Sequence, residues 1–147
     1  MTRAQKLLEA YDDLTWENYV DISDSIVRFD KNNIEDELQR QASVYSYYTG
    51  LLGMSKKDLD ASNLRLTQYI AQTRKDKKNS NLAVKQTAKD LDDFVSSTEE
   101  FHMLSDEVNN CQFKFTLLKG LVQALEQKKD MLVQLSANTR AETNLYK

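Results

Sequence analysis

Positions 34, 38, 41, 45, 48, 52, 55, 59, 62, 66, 69 and 73 of the sequence step alternately by four and three. They hold Ile34, Leu38, Tyr45, Tyr48, Leu52, Leu59, Leu66 and Tyr69, with smaller or polar residues between. A strand repeats a face every second residue, whereas a helix returns to it after three or four, so this row is a helical seam of about six heptads. Asn33 before Ile34-Glu35-Asp36 gives the helix a start, because a cap side chain accepts orphan amide hydrogens and acids favour the first turn. The spacing predicts a long helix over 33–74, roughly 60 Å from end to end.

Phe101, Leu104, Val108, Cys111, Phe115, Leu118, Val122, Leu125 and Leu132 repeat the pattern after Thr98-Glu99-Glu100, which predicts a second long helix over 98–145. The chain has no proline and three glycines, so it lacks the turn formers of a sheet. Between the rows, Lys75-Asp76-Lys77-Lys78-Asn79-Ser80 has nothing apolar to bury. It reads as a basic loop within 75–97, ahead of a short helix carrying Leu82, Val84, Ala88, Leu91, Phe94 and Val95. Residues 1–32 read as a short helix over 3–14, built on Ala4, Leu7, Leu8 and Tyr11, with a connection through Trp16, Tyr19, Ile22, Ile26 and Phe29. The expected fold class is all-α: a single helical domain over 1–147, its two long amphipathic helices folded back as an antiparallel hairpin. Gly120 and Ala124 would let another helix approach closely. Elongated helices of this mass bury enough apolar surface only by sharing a core with a neighbour, so oligomerisation is expected.

One cysteine, Cys111, cannot close an intramolecular disulfide, and the N-terminus lacks a basic-then-apolar leader pattern. Charges interrupt every apolar run well short of the roughly 20 residues a membrane crossing needs. These features point to a reducing, cytoplasmic location.

The inventory for catalysis is thin. His102 and Cys111 are the only residues of their kinds, and nine helical residues separate them by about 13 Å, too far for a dyad. His102 reads as an ordinary surface or interface residue and Cys111 as a small core residue. Asp12-Asp13, Asp92-Asp93 and Glu99-Glu100 point about 100° apart within each pair, and no phosphate-cradling glycine pattern accompanies them. No enzyme activity, metal or cofactor is expected.

The net charge of −3 conceals a division: residues 1–37 carry −6, 38–55 carry +1, 56–89 carry +6 and 90–147 carry −4. What attracts a polyanion is the local field, and here Lys56, Lys57, Arg65, Arg74, Lys75, Lys77, Lys78, Lys85 and Lys89 fall in one segment. A solvated helix face explains such a run as well. Repeated around a ring, it would suit single-stranded nucleic acid, held by phosphate contacts and by stacking on Tyr69, although Tyr69 also falls on the seam, where burial is the simpler fate. Tyr45 and Tyr48 take seam positions, while Tyr47 points elsewhere, toward Trp16, Tyr19 or another protomer.

The stretch Ala124-Leu125-Glu126-Gln127-Lys128-Lys129-Asp130-Met131-Leu132-Val133-Gln134-Leu135-Ser136-Ala137-Asn138-Thr139-Arg140-Ala141-Glu142 resembles the end of UvsY-type recombination mediators, the small recombination, repair and single-stranded-DNA-binding proteins of tailed phages. Gln41-Ala42-Ser43-Val44-Tyr45-Ser46-Tyr47-Tyr48 resembles their small-residue and aromatic stretch, and Leu64-Arg65-Leu66 with Tyr69 resembles their basic motif. Asn63 stands where that motif has a lysine, so of its basic pair only Arg65 carries over. The resemblance spans about 38 to 142. It implies a ring of six or seven identical chains in the cytoplasm of a phage-infected bacterium. That ring would bind single-stranded DNA and help a RecA-like recombinase replace the single-strand-binding protein. On this reading Lys56, Lys57, Arg65, Arg74, Lys75, Lys77 and Lys78 are the DNA contacts. The alternative is a non-enzymatic coiled-coil scaffold or chaperone-like assembly that holds a protein partner and binds no DNA.

Overall fold

The computed structural model of the chain describes residues 3–146; the side chains of 3, 4 and 6–8, including Ala4, Leu7 and Leu8 of the expected first helix, lie outside the described residues. The described chain is all-helical, with α1 (Arg3–Asp12), α2 (Trp16–Val27), α3 (Ile34–Ser80), α4 (Ala88–Ser96) and α5 (Glu99–Leu145). It divides into two compact units, residues 1–54 with 114–147 and residues 55–113.

The segment expected to connect the first short helix to the long one is itself a helix. Thr15 caps α2 by a reciprocal box: its backbone N–H donates to Asn18 Oδ1 at 2.8 Å, and the Asn18 N–H donates to Thr15 Oγ1 at 3.4 Å. The last turns of α3 are a second difference. Lys75 to Ser80, read as a basic loop for want of apolar residues, continue the helix. Burial is not required there, because lysine is a good helix former and Lys77 and Lys78 in the final turn lie favourably against the carbonyl end of the helix dipole. The short helix that follows begins later than its apolar residues suggest. Thr87 and Asp90 form its capping box, and Leu82 and Val84 fall in the connection before it, exposed.

In the first unit the α3 seam is buried or half-buried from Ile34 to Leu52, and so is a second row, Val44, Tyr47, Leu51 and Met54. On α5 two rows are likewise covered: Leu118, Val122, Leu125 and Leu132 on one, and Leu117, Leu121 and Ala124 on the other. Two buried faces on each long helix explain α1 and α2. Tyr11, Leu14, Leu51, Leu118 and Leu121 form the core, with Tyr19, Ile22, Ile26, Tyr47 and Tyr48 packed around it. Tyr47 meets Tyr48 edge to face at 5.1 Å between ring centroids. Gly120 has a purpose here, since a Cβ at that position would lie 3.3 Å from the Tyr19 hydroxyl. The close approach expected at this glycine is thus made by an α2 side chain.

Two lysines of α5 finish the short helices. Lys114 donates to the Tyr11 carbonyl at 2.6 Å, with its ammonium 4.1 Å from the Tyr11 ring centre. Lys128 donates to the carbonyls of Ile26 and Arg28 at 2.8 and 3.2 Å and pairs with Glu37 at 2.9 Å. The last carbonyls of a helix have no partner within it and carry its negative end, so a cation there satisfies both needs.

In the second unit the same two helices bury one face each. Ser55, Leu59 and Ser62 are buried on α3, Val95 on α4, and Leu66, Tyr69, Phe101, Leu104, Val108 and Cys111 are half-buried. The positions continuing the second row of α3, Asp58, Ala61 and Arg65, are exposed.

Candidate nucleic-acid interface

The second unit contains all seven residues expected to contact DNA, and its helices sort them into three groups. The α3 seam faces inward, so the opposite stripe, Lys57, Ala61, Leu64, Gln68, Ala71, Lys75 and Lys78, faces water, and each of these residues is exposed. Lys57, Lys75 and Lys78 make no ion pair among the described residues. Lys75 and Lys78 are one turn apart; Lys57 lies about 27 Å back along the helix. The middle of the stripe is uncharged, so the cations do not form one continuous track. They concentrate at the end of α3, where Lys85 and Lys89, both exposed, follow in the connection and in α4.

The second group is paired. Arg65 hydrogen-bonds through Nη2 to Glu107 Oε1 of α5, and Arg74 through Nη2 to Asp92 Oδ1 of α4. Lys56 pairs with Asp60 one turn on at 2.6 Å. The arginines are nine residues apart, two and a half turns, so they leave α3 on opposite sides. The resemblance implies Arg65 as the contact of the basic motif, and the structure sets it on the flank facing α5, bonded to a carboxylate.

Lys77 stands alone in the third group. It is half-buried, with its ammonium 4.3 Å from the centre of the Phe94 ring, where the ring's negative face receives it. This contact ties the end of α3 to α4. Asp90, at the other end of that helix, accepts hydrogen bonds from the Thr87 backbone N–H and hydroxyl at 2.9 and 2.8 Å, and these hold its carboxyl below the ordinary value.

Tyr69 is not a stacking platform. It is half-buried on the seam, and its hydroxyl donates to Thr98 Oγ1 at 2.8 Å. Thr98 also accepts from the Phe101 N–H at 3.3 Å, so the residue that caps α5 is held by the tyrosine. The exposed large apolar side chain on the outer stripe is Leu64, with Ala61 and Ala71 the small ones. His102 is exposed and meets Phe101 edge to face, 5.9 Å between ring centroids, and Cys111 is half-buried. Among the described residues no three of His, Cys, Asp and Glu stand close enough to hold a metal ion, and no helix is long and apolar enough to cross a membrane.

The sequence places Gln41 on the α3 seam but assigns no contact to it, nor to Lys128 on α5. Gln41 is buried on α3 and donates its side-chain amide to the Leu125 carbonyl at 2.7 Å, beside Tyr45, whose hydroxyl donates to Glu126 at 2.9 Å. Their signal is a polar side chain at seam spacing between apolar ones, Gln41 between Leu38 and Tyr45 and Lys128 between Leu125 and Leu132. Comparison with protein-family models, curated proteins and solved structures found no match to the chain.

Proposed function

We propose that the chain is a single-stranded-DNA-binding recombination mediator of the UvsY type, acting as a homo-oligomeric ring of antiparallel helical hairpins. It would help load a RecA-like recombinase onto DNA covered by single-strand-binding protein. The observation that carries the reading is the end of α3, where Lys75 and Lys78 face water with no carboxylate partner among the described residues and Lys85 and Lys89 follow. Among the described residues these four lysines make no ion pair, and they outnumber the acids Asp76 and Asp90 that stand beside them. The resemblance in the C-terminal stretch and around Arg65 supplies the function that such a surface serves. The thin core of the second unit and the exposed Leu64, Met103 and Phe113 fit assembly with further helices. A mediator of this kind works by differential binding: holding the strand in a form that favours one occupant shifts the exchange without a catalytic group.

The test is a fluorescence-anisotropy titration of a labelled single-stranded oligonucleotide at low and physiological salt, beside a duplex of equal length. The expected result is preference for the single strand, with log affinity falling against log salt by about 0.7 per phosphate contact. Lys75→Ala/Lys78→Ala should lose more affinity than Arg65→Ala and flatten the salt dependence. No binding at low salt would overturn the reading in favour of a helical scaffold whose basic face only keeps it soluble, and no recombinase loading would confine it to DNA binding.

A further inference from the structure

Both arginines of the basic segment are held by carboxylates from other helices, while the lysines of the outer stripe are not. A guanidinium offers a planar fork that fits carboxylate and phosphate alike, whereas an ammonium is a point charge. The side chains best suited to grip a phosphate are thus the ones already engaged. The two pairs are independent, since Arg65 leaves α3 toward α5 and Arg74 leaves it on the opposite side toward α4.

We propose that Glu107 and Asp92 compete with the phosphates of the bound strand for Arg65 and Arg74, setting the affinity threshold by holding the arginines until a phosphate takes the carboxylate's place. The inference rests on the DNA-binding reading above. Lys57, Lys75 and Lys78 make the first contacts, and each arginine then exchanges carboxylate for phosphate. The exchange is feasible because the pairs lie at the surface: the Arg65 and Glu107 side chains are 53% and 42% exposed, and those of Arg74 and Asp92 46% and 51%. Ion pairs in such positions are weak and screened by salt, so phosphates can open them, and a strand whose other phosphates are already held by the lysines does so at a far lower concentration than an isolated anion. The two acids therefore favour a polyanion over small phosphates in solution.

Glu107→Gln keeps the shape of the side chain and removes its hold on Arg65. Single-strand affinity at low salt should rise about two- to fivefold, the range set by an exposed ion pair. Removing any nearby negative charge also helps a polyanion, so Asp106→Asn, one residue away and without an arginine partner among the described residues, measures that general effect. The gain of Glu107→Gln should exceed that of Asp106→Asn, and the excess should vanish when Arg65 is alanine. Asp92→Asn against Asp93→Asn, with Arg74→Ala, repeats the cycle at the second pair, and melting curves verify that each variant folds. If the wild type binds and the gains equal those of the controls, the competition is overturned and the DNA-binding reading stands. If neither the wild type nor any variant binds, both fall.

Discussion

The two units are built on the same pair of helices yet bury them differently. In the first, α3 and α5 each cover two rows of side chains, because α1 and α2 lie across them and two lysines of α5 cap those short helices. In the second, one row of each is covered, the buried seam positions of α3 include two serines, and the outer stripe is left to water. A helix buried on two sides holds its side chains for packing, and one buried on a single side has a face to spare. The unit with the thinner core is the one that carries the basic surface.

The largest expected effect tests that contrast directly. Leu118 and Leu121 are 0% exposed in a layered core, so Leu118→Ala or Leu121→Ala should lower the unfolding free energy by about 3–5 kcal/mol. Leu59→Ala, in the one-row core, should fall nearer 2 kcal/mol, because neighbours can collapse toward the smaller side chain. Denaturant titrations of the three variants measure this, and equal losses would mean that the two cores are equally well packed.

A smaller effect should come from Lys128, which is 6% exposed. Lys128→Ala leaves two carbonyls at the end of α2 and the carboxylate of Glu37 without their cation, and should remove about 2 kcal/mol. Hydrogen exchange should quicken in α2 before it does in α4. Uniform quickening would show that the lysine stabilises the whole fold and not one helix end.

The smallest effect separates the units by pH. Burial raises the Tyr48 phenol above its ordinary value of 10.0, and the hydrogen bond with Glu126 raises that of Tyr45. A folded pKa above the unfolded one contributes stability that is complete below pH 10 and is lost as pH rises through the higher folded value. The first unit should therefore loosen in alkali, and Tyr48→Phe should reduce the effect. Asp90 behaves in the opposite sense. Its hydrogen bonds with Thr87 lower its pKa below 3.8, so its contribution is present above that value and is lost as pH falls through the lower folded one. Acid should fray α4, which exchange at its amides between pH 5 and 2 would reveal; the reverse order of sensitivities would break the comparison.

Much of the fold was legible because one rule covers most of the chain. Every position of the 34–73 row is buried or half-buried, and the 101–132 row behaves in the same way. The capping boxes of α2 and α4 were also present, as Thr15 with Asn18 and Thr87 with Asp90, in segments whose apolar spacing gave weaker cues. Lys75 to Ser80 misled because apolar spacing reports burial, and a solvated helical turn has none to report.

The candidate interface was legible only as a list. Its sequence places nine cations between residues 56 and 89, and helical periodicity alone assigns Lys57, Lys75 and Lys78 to the face opposite the seam. Periodicity is a property of one helix, so it fixes which residues share a side of α3. It cannot fix what lies across from that side, and so the partners of Arg65 and Arg74, the ring beneath Lys77 and the bond that holds Tyr69 were decided by the tertiary structure. These contacts join residues as far apart in sequence as Arg65 and Glu107. Charge and hydrogen bonding act through space, and only folding brings such groups together.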